Sequence, residues 1–499
     1  MPTTVFHDFL PFGNLVSHQS IYGIYFQDQW RVTKRLSVSL GVRWNRFPLA
    51  TRDHGRGLER YNFATNQVEI CGVGGTPQDC GYHVGNRNFS ENIGVAYRAT
   101  HTLVVRSGFG LNYDPAPLAY NRDMLSNFPE ILALTFPGAN SFQPATTLAK
   151  GIPALVAPDV TQPFVTLPNG YSVNSLLPNP RRDYVLSWNL TLEKELPKGF
   201  IGQVAYVGSR AVGIPQLINQ NISQLGGGTA SEPYNILYGT TSALNVAMPI
   251  NHTHYDSLQS HVSRRFSSGF LVNVSYTFSK NTGICCNDIS DTAPAIELLQ
   301  YLPLTRSLEP NDRTHHLTAS WVAHSPFGKG RRWLNNGGIA SALAGGWQLN
   351  GLIAMTSGKP FNVTGTATPL NSNGVGTQRP DLMKPDVAIL GGIGTGHAYF
   401  DTKAFQVVNT ARIGTAGYEI LRGPASRNLD ASLFREFALT ERFKLQIRAE
   451  AFNVTNTPHF TTPSGNASSS GFGFITGTTG FGREGIDQRM LRLGGRLYF

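Results

Sequence analysis

The sequence predicts an all-β protein whose long antiparallel strands form a membrane-crossing barrel. Three observations predict it. Apolar and polar residues alternate in segments of about 10–12 residues, longer than the ~5–6 usual in a soluble sheet and suited to a tilted membrane crossing. The connections between these segments are short and long by turns. Charged residues make up only 14% of the 499-residue chain, against about 25% in ordinary globular proteins.

The last strand carries the pattern most plainly. In residues 489–499, RMLRLGGRLYF, the residues Leu491, Leu493, Leu497 and Phe499 fall on one parity, while Arg492, Arg496 and Tyr498 fall on the other. Period-two alternation gives a strand one apolar and one polar face. A chain that ends on an aromatic residue at the end of such a strand reads as a barrel that closes there.

Going back to the start, segments 20–31 and 36–46 read as a hairpin around Thr33-Lys34. The second carries Leu36, Val38, Leu40, Val42 and Trp44 on one face. Segments 89–99 and 103–113 pair across Thr100-His101, and 184–196 and 200–210 across residues 197–199. Segments 255–266 and 270–280 follow, then 314–324 and 346–357, whose connection ends in a short predicted helix. Segments 428–438 and 443–455 pair across residues 439–442. With the closing strand, the count is thirteen.

Long irregular segments separate the hairpins at 47–88, 114–183, 211–254, 281–313, 358–427 and 456–488. In outer-membrane barrels short turns face the periplasm and long loops face outward. Aromatic residues cluster at strand ends, among them Trp30, Trp44, Tyr113, Tyr184, Tyr206, Trp347, Phe437, Phe443 and Phe499, as interfacial girdles do. An antiparallel barrel needs an even number of strands. A further strand is therefore expected in residues 61–70, before residue 19, or upstream. Residues 1–19 lack the basic start and apolar core of a signal peptide. Together these features suggest the C-terminal part of a larger barrel.

Composition excludes other classes. No run of about 18 apolar residues occurs, so no helical membrane span is expected. The net charge is +10, but Lys and Arg are scattered and form no nucleic-acid reader motif. Cys71 and Cys80 flank a Gly-rich octapeptide and are candidates for a small loop disulfide. Cys285 and Cys286 are adjacent, and neither pair has zinc-site spacing.

Several strings carry a resemblance: YFQDQWRVTKRLSVSLGVRW, SWNLTLEKELPKGFIGQVAYVGSR, YDSLQSHVSRRFSSGFLVNVSYTFSKN, GWQLNGLIAMTSGKPFNV and RNLDASLFREFALTERFKLQIRAEAFNVTNTPHF. They resemble the barrel of Oar-like TonB-dependent receptors. The resemblance implies a barrel of roughly 22 strands over residues 20–499, with residues 1–19 a short lead-in left from an upstream loop. It also implies a signal peptide, a sandwich domain, a TonB-contacting segment and a plug upstream; no residue before Ser20 matches these. TonB is then a partner only where an upstream plug is present.

Candidate sites are few. His252 and His254 form an HxH in an expected loop, and His315-His316 opens a strand. A metal site would need a third converging ligand. Residues 391–396, GGIGTG, lack the strand and helix that make a phosphate-binding turn. No nucleophile elbow occurs, and no catalytic residue or cofactor is expected. Arg106, Glu193, Arg448, Glu450, Arg492 and Arg496 lie on polar parities and should face the lumen. The expected activity is binding at extracellular loops and passage of a siderophore, saccharide or peptide, in a barrel held by outer-membrane lipid. The long loops are expected outside, with the turns and the C-terminus in the periplasm. A plugless porin, a surface-binding structural protein or a hydrolase built into the wall are the alternatives.

Overall fold

In the computed structural model, residues 4–115, 124–138, 143–147, 149–152, 154, 156–284, 295–480 and 487–499 are described. The dominant feature is a 15-stranded sheet. Two short strands, Val173–Leu176 and Arg306–Leu308, hang off its main path. The other thirteen follow one another in chain order, each antiparallel to the next. They are β1 (Tyr22–Arg31), β2 (Leu36–Arg46), β3 (Asn88–Arg98), β4 (Leu103–Tyr113), β5 (Tyr184–Leu196), β6 (Phe200–Asn219) and β7 (Leu244–Ser267). β8 (Phe270–Ile284), β9 (His315–His324), β10 (Trp347–Thr356), β11 (Ser426–Ala438), β12 (Lys444–Phe452) and β13 (Met490–Tyr498) complete the wall.

Register shows why these residues make this sheet. Trp30, Val38, Val95, Ser107, Leu190, Tyr206, Leu258 and Phe278 lie opposite one another in a single row across β1 to β8. One residue along, Gln29, Ser39, Gly94, Gly108, Asn189, Val207, Ser257 and Ser279 form the next row. Adjacent rows point to opposite faces, so one face is apolar and the other polar. Trp30 is 62% exposed and Leu258 46%. Apolar side chains bared at that level suit lipid, not water. Trp44, Tyr113, Tyr184, Trp347 and Phe437 share the apolar face. Asp28 and Glu91 break the alternation, standing opposite Leu40 and Val42 on that same face.

Every expected wall strand is present, with corrections of extent. β6 has 20 residues and β7 has 24, so both ends of the expected 211–254 loop are strand, and the HxH lies inside β7. β12 ends at Phe452, and β1 begins at Tyr22. Among the described residues the sought extra wall strand lies neither in residues 61–70 nor before residue 19. Arg60–Asn62 and Gln67–Glu69 form a separate small sheet with Phe164–Thr166, and Thr4–Phe9 pairs with Leu132–Pro137. Among the described residues β1 and β13 do not pair with each other, and each has one unpaired edge.

The long connections are not structureless. They fold into a cap at one end of the wall, and the four hydrophobic clusters among the described residues lie there. One joins Leu58, Tyr82, Met124 and Leu176 to Leu217 and Ala247 at the tops of β6 and β7. A second gathers Tyr61, Phe128, Leu132 and Leu244. A third holds Ile222, Ile296 and Leu370, and a fourth Phe361, Phe400 and Phe405. A short helix, α1 (Pro233–Tyr238), ends on Gly239, whose left-handed conformation closes the turn. At the wall's other end the connections are tight, apart from the one before β10, which holds the expected helix as α2 (Gly338–Ala344).

The two faces should respond differently to charge. Ile353 lies on the apolar face in mid-strand, whereas Thr318 lies on the polar one. Ile353→Arg should lower stability in a bilayer by about 2–4 kcal/mol, and Thr318→Arg by far less. Denaturant unfolding in lipid vesicles checks this; equal losses would reject the assignment of faces.

Candidate functional site

The polar face of the wall carries the charges expected in the lumen. Arg106 donates to the Glu193 carboxylate at 2.8 Å from the neighbouring strand. Glu450 stands directly opposite Arg492, and Arg448 Nε donates to Gln446 Oε1 at 2.6 Å. Arg492 and Arg496 lie over the rings of Phe452 and Tyr498. These groups answer one another across the sheet, as charges in a hydrated lumen do. Half-exposed pairs of this kind contribute little to stability.

The cap above this lumen is clamped by buried polar groups that sequence reasoning missed. Arg52 makes a bidentate pair with Glu59 at 2.9 and 2.6 Å, and Arg56 pairs with Glu130. All four side chains are almost wholly buried. Burial raises the Glu59 carboxyl, and the Arg52 guanidinium opposes that shift. Cys71 and Cys80 are joined in a disulfide beside this cluster, while Cys285 and Cys286 lie outside the described residues. Arg379 threads the far side, donating to the carbonyls of Gly414 and Leu304 and stacking on Tyr418. His459 is buried between Asp487 and the Arg427 carbonyl, tying the last loop to β11. No local pattern announces these partners, which meet only through the fold.

A cavity of about 570 Å³ lies where β8 parts from β9 and is picked up by Arg306–Leu308. Phe278, Lys280, Thr282, Arg306 and Leu308 line it from the parity of the apolar face. Phe278, Lys280 and Arg306 are exposed, which places its mouth on the outward side. Tyr418, Glu419 and Arg422 close it from the cap.

Behind the cavity, Glu309 presses its carboxylate against Gly283. A β-carbon there would stand 1.8 Å from Glu309 Oε1, so any larger residue would have to push that carboxylate aside. Glu419 holds a left-handed backbone, φ 51°, rare for such a residue, with its N–H bonded to Asn362 Oδ1 at 2.8 Å. Glu309 Oε1 and Glu419 Oε2 are buried without a hydrogen-bond partner among the described residues. Burial pushes both carboxyls up to about 7, and the nearby Glu309 charge adds to the rise at Glu419. Asp312 beside them pairs with Arg422. Glu309 and Glu419 can hold or release protons near neutral pH.

Among the described residues the HxH meets no third ligand. His252 and His254 sit two apart on the outward face of β7, where His254 meets Arg210. His315 Nδ1 meets Tyr276 Oη at 2.8 Å. Residues 391–396 lie in a cap loop, as expected.

The profile of the outer membrane beta barrel domain matches residues 8–489. The chain belongs to the outer membrane β-barrel domain family. Its place is therefore the outer membrane, and its wall is a barrel wall. Among solved structures, the chain is similar to the ferripyoverdine receptor of the outer membrane of Pseudomonas aeruginosa. That match has 9% identity and TM-score 0.42, and covers 97% of this chain and 39% of the receptor. The FrpB iron transporter from Neisseria meningitidis gives 10% identity, TM-score 0.43 and coverage of 97% and 45%. The ferric citrate transporter FecA gives 9%, 0.43, 97% and 45%. The chain spans less than half the length of each. A comparison with curated proteins returns no match.

Two expectations follow for this outer-membrane β-barrel domain. Glu130→Ala leaves Arg56 buried and unpaired, and should cost the cap about 3–5 kcal/mol. Hydrogen exchange over residues 52–82 should accelerate, while exchange in β9 and β10 stays unchanged. Glu309 and Glu419 carry folded-state values raised from 4.5 to about 7, so the stability they lend is full below the unfolded value and is lost as pH rises through about 7. The urea midpoint for proteolysis of the 358–427 loop should therefore fall between about pH 5 and about pH 8. In a Glu309→Gln/Glu419→Gln variant it should stay flatter. A midpoint that climbs over that range would reject the assignment.

Proposed function

We propose that this chain is the barrel portion of an Oar-like, TonB-dependent outer-membrane receptor. Its cap loops capture a siderophore, saccharide or peptide, which then passes along the polar lumen. The reading is carried by one observation: a lumen-type polar wall is roofed at one end by loops folded into a shaped cap with its own cores. A shaped surface at the mouth of a polar passage suits selective capture better than free diffusion. The cap faces the cell exterior and the tight turns face the periplasm.

We further propose that residues 20–499 act as one barrel unit completed by more strands, to a total of roughly 22. Unpaired backbone cannot be left in lipid, and the free edges of β1 and β13 are the places where such strands join. The transport is energised through TonB where a plug accompanies the barrel. A passive pore is the second reading, favoured by the unobstructed pairing of lumen charges within the wall itself.

Uptake separates the two. Cells carrying the gene should accumulate one labelled member of a siderophore, saccharide and peptide panel against its gradient, and a protonophore should abolish that accumulation. Uptake indifferent to the protonophore would leave only the pore. Orientation is read independently, with a membrane-impermeant maleimide on intact cells. Leu390→Cys in the cap should react, whereas Lys198→Cys in the β5–β6 turn should not.

A further inference from the structure

We propose that the outward flank of β6, β7 and β8, just past the apolar belt, is a docking surface for the phosphate groups of outer-membrane lipid headgroups. Arg210, His252, His254, Lys280 and Arg306 form it. The character of the outward face changes abruptly there. On the turn side stand Val204, Tyr206, Leu258 and Phe278; one or two steps further along the same parity stand Arg210, His254 and Lys280. Register fixes their neighbourhood: Arg210 is opposite His254, His254 opposite Thr282, and Arg306 opposite Ile284.

The patch keeps its positive sign. Its one outward acid, Asp256, is engaged by Tyr206 Oη at 2.6 Å. Glu419, which lines the adjoining cavity, is buried away from the surface. Arg210 Nε donates to His254 Nε2 at 3.0 Å and its Nη2 lies 3.3 Å from His254 Nδ1, so the two side chains lie together along the flank, with Arg210 exposed. Lys280 and Arg306 flank the cavity mouth beside Phe278, so cations stand directly beside an apolar wall. A lipid presents the same order of chemistry, with acyl chains below and phosphate above. Cations placed at headgroup height attract anionic lipid. This assignment also uses two features the transport reading leaves over, the HxH and part of the +10 net charge.

The lipid source rests on the cap-outward orientation proposed above, but binding in micelles has no sidedness. Failure of the orientation would appear only in the maleimide labelling. The full chain, folded in detergent, is titrated with bisphosphorylated lipid A and with its dephosphorylated form. Lipid A should bind at least about tenfold more tightly, a difference of ~1.4 kcal/mol. Arg210→Ala/Lys280→Ala should remove that preference, while Lys150→Ala/Lys403→Ala, equal in charge loss, should keep it. Equal binding of both lipids by the unaltered chain would overturn the proposal without any variant. So would an unchanged preference in the Arg210/Lys280 variant, or displacement of lipid A by an equal concentration of inorganic phosphate.

Discussion

Every peptide group of a wall that crosses lipid must find its hydrogen bond inside the sheet, because the hydrocarbon offers none. Most of this structure follows from that constraint. The sheet supplies the bonds, and one face must then be apolar while the other stays wet. Neighbouring residues such as Leu258 and Ser257, or Phe278 and Ser279, are forced into opposite characters. A wall of this kind has no interior. Its apolar side chains are covered by lipid and its polar ones by water, so nothing within it resembles a globular core. The buried apolar residues, among them Leu132, Leu244, Leu370 and Phe400, sit instead in the cap. Burying each such side chain is worth roughly 1.5–3 kcal/mol, which gives the loops a fold of their own.

The cap uses buried charge where the wall uses alternation. Arg52, Arg56, Glu59 and Glu130 join segments more than seventy residues apart. Removing such ions from water costs enough that the pairing adds little net stability, yet a mismatched arrangement would be strongly penalised. Their effect is on which loop arrangement wins. Arg379 acts in the same way through carbonyl oxygens, and His459 does so for the final loop. The lumen pair Arg106–Glu193 is half exposed and has no such leverage.

These differences explain what can be read from the chain. The wall strands were legible to within a few residues because lipid enforces a period of two along their whole length. The upper halves of β6 and β7 were not. There the wall has left the lipid, and packing against the cap lets Ala211, Val212, Ile214 and Leu217 follow one another without alternation. Pro215 and Pro249 read as strand breakers. The structure accommodates this stretch with register shifts near Val212 and Ile214. The HxH was misplaced for the same reason. The cap clusters and the Glu309–Glu419 pair had no signature at all, since their members come from different loops and no periodicity links them. Cys71 and Cys80 were legible as a candidate pair because their spacing is local.

The strands also record where the membrane stops. Along β7 the lumen-side residues Gln259, Ser257 and Tyr255 stay polar or amphipathic throughout, while the outward series runs from Val262 and Leu258 to Asp256, His254 and His252. Only the outward series changes, and only lipid could have imposed its apolar part. The change therefore marks the height of the headgroups. It coincides with the aromatic end of the belt at Tyr206. Asp28 and Glu91 break this rule within the belt, and Asp28 does so on β1, the strand whose outer edge is unpaired among the described residues. A carboxylate facing lipid on an open edge costs less if another segment covers it. The same covering segment would satisfy the bare edge of β1, so the misplaced charge and the unpaired backbone call for one and the same neighbour.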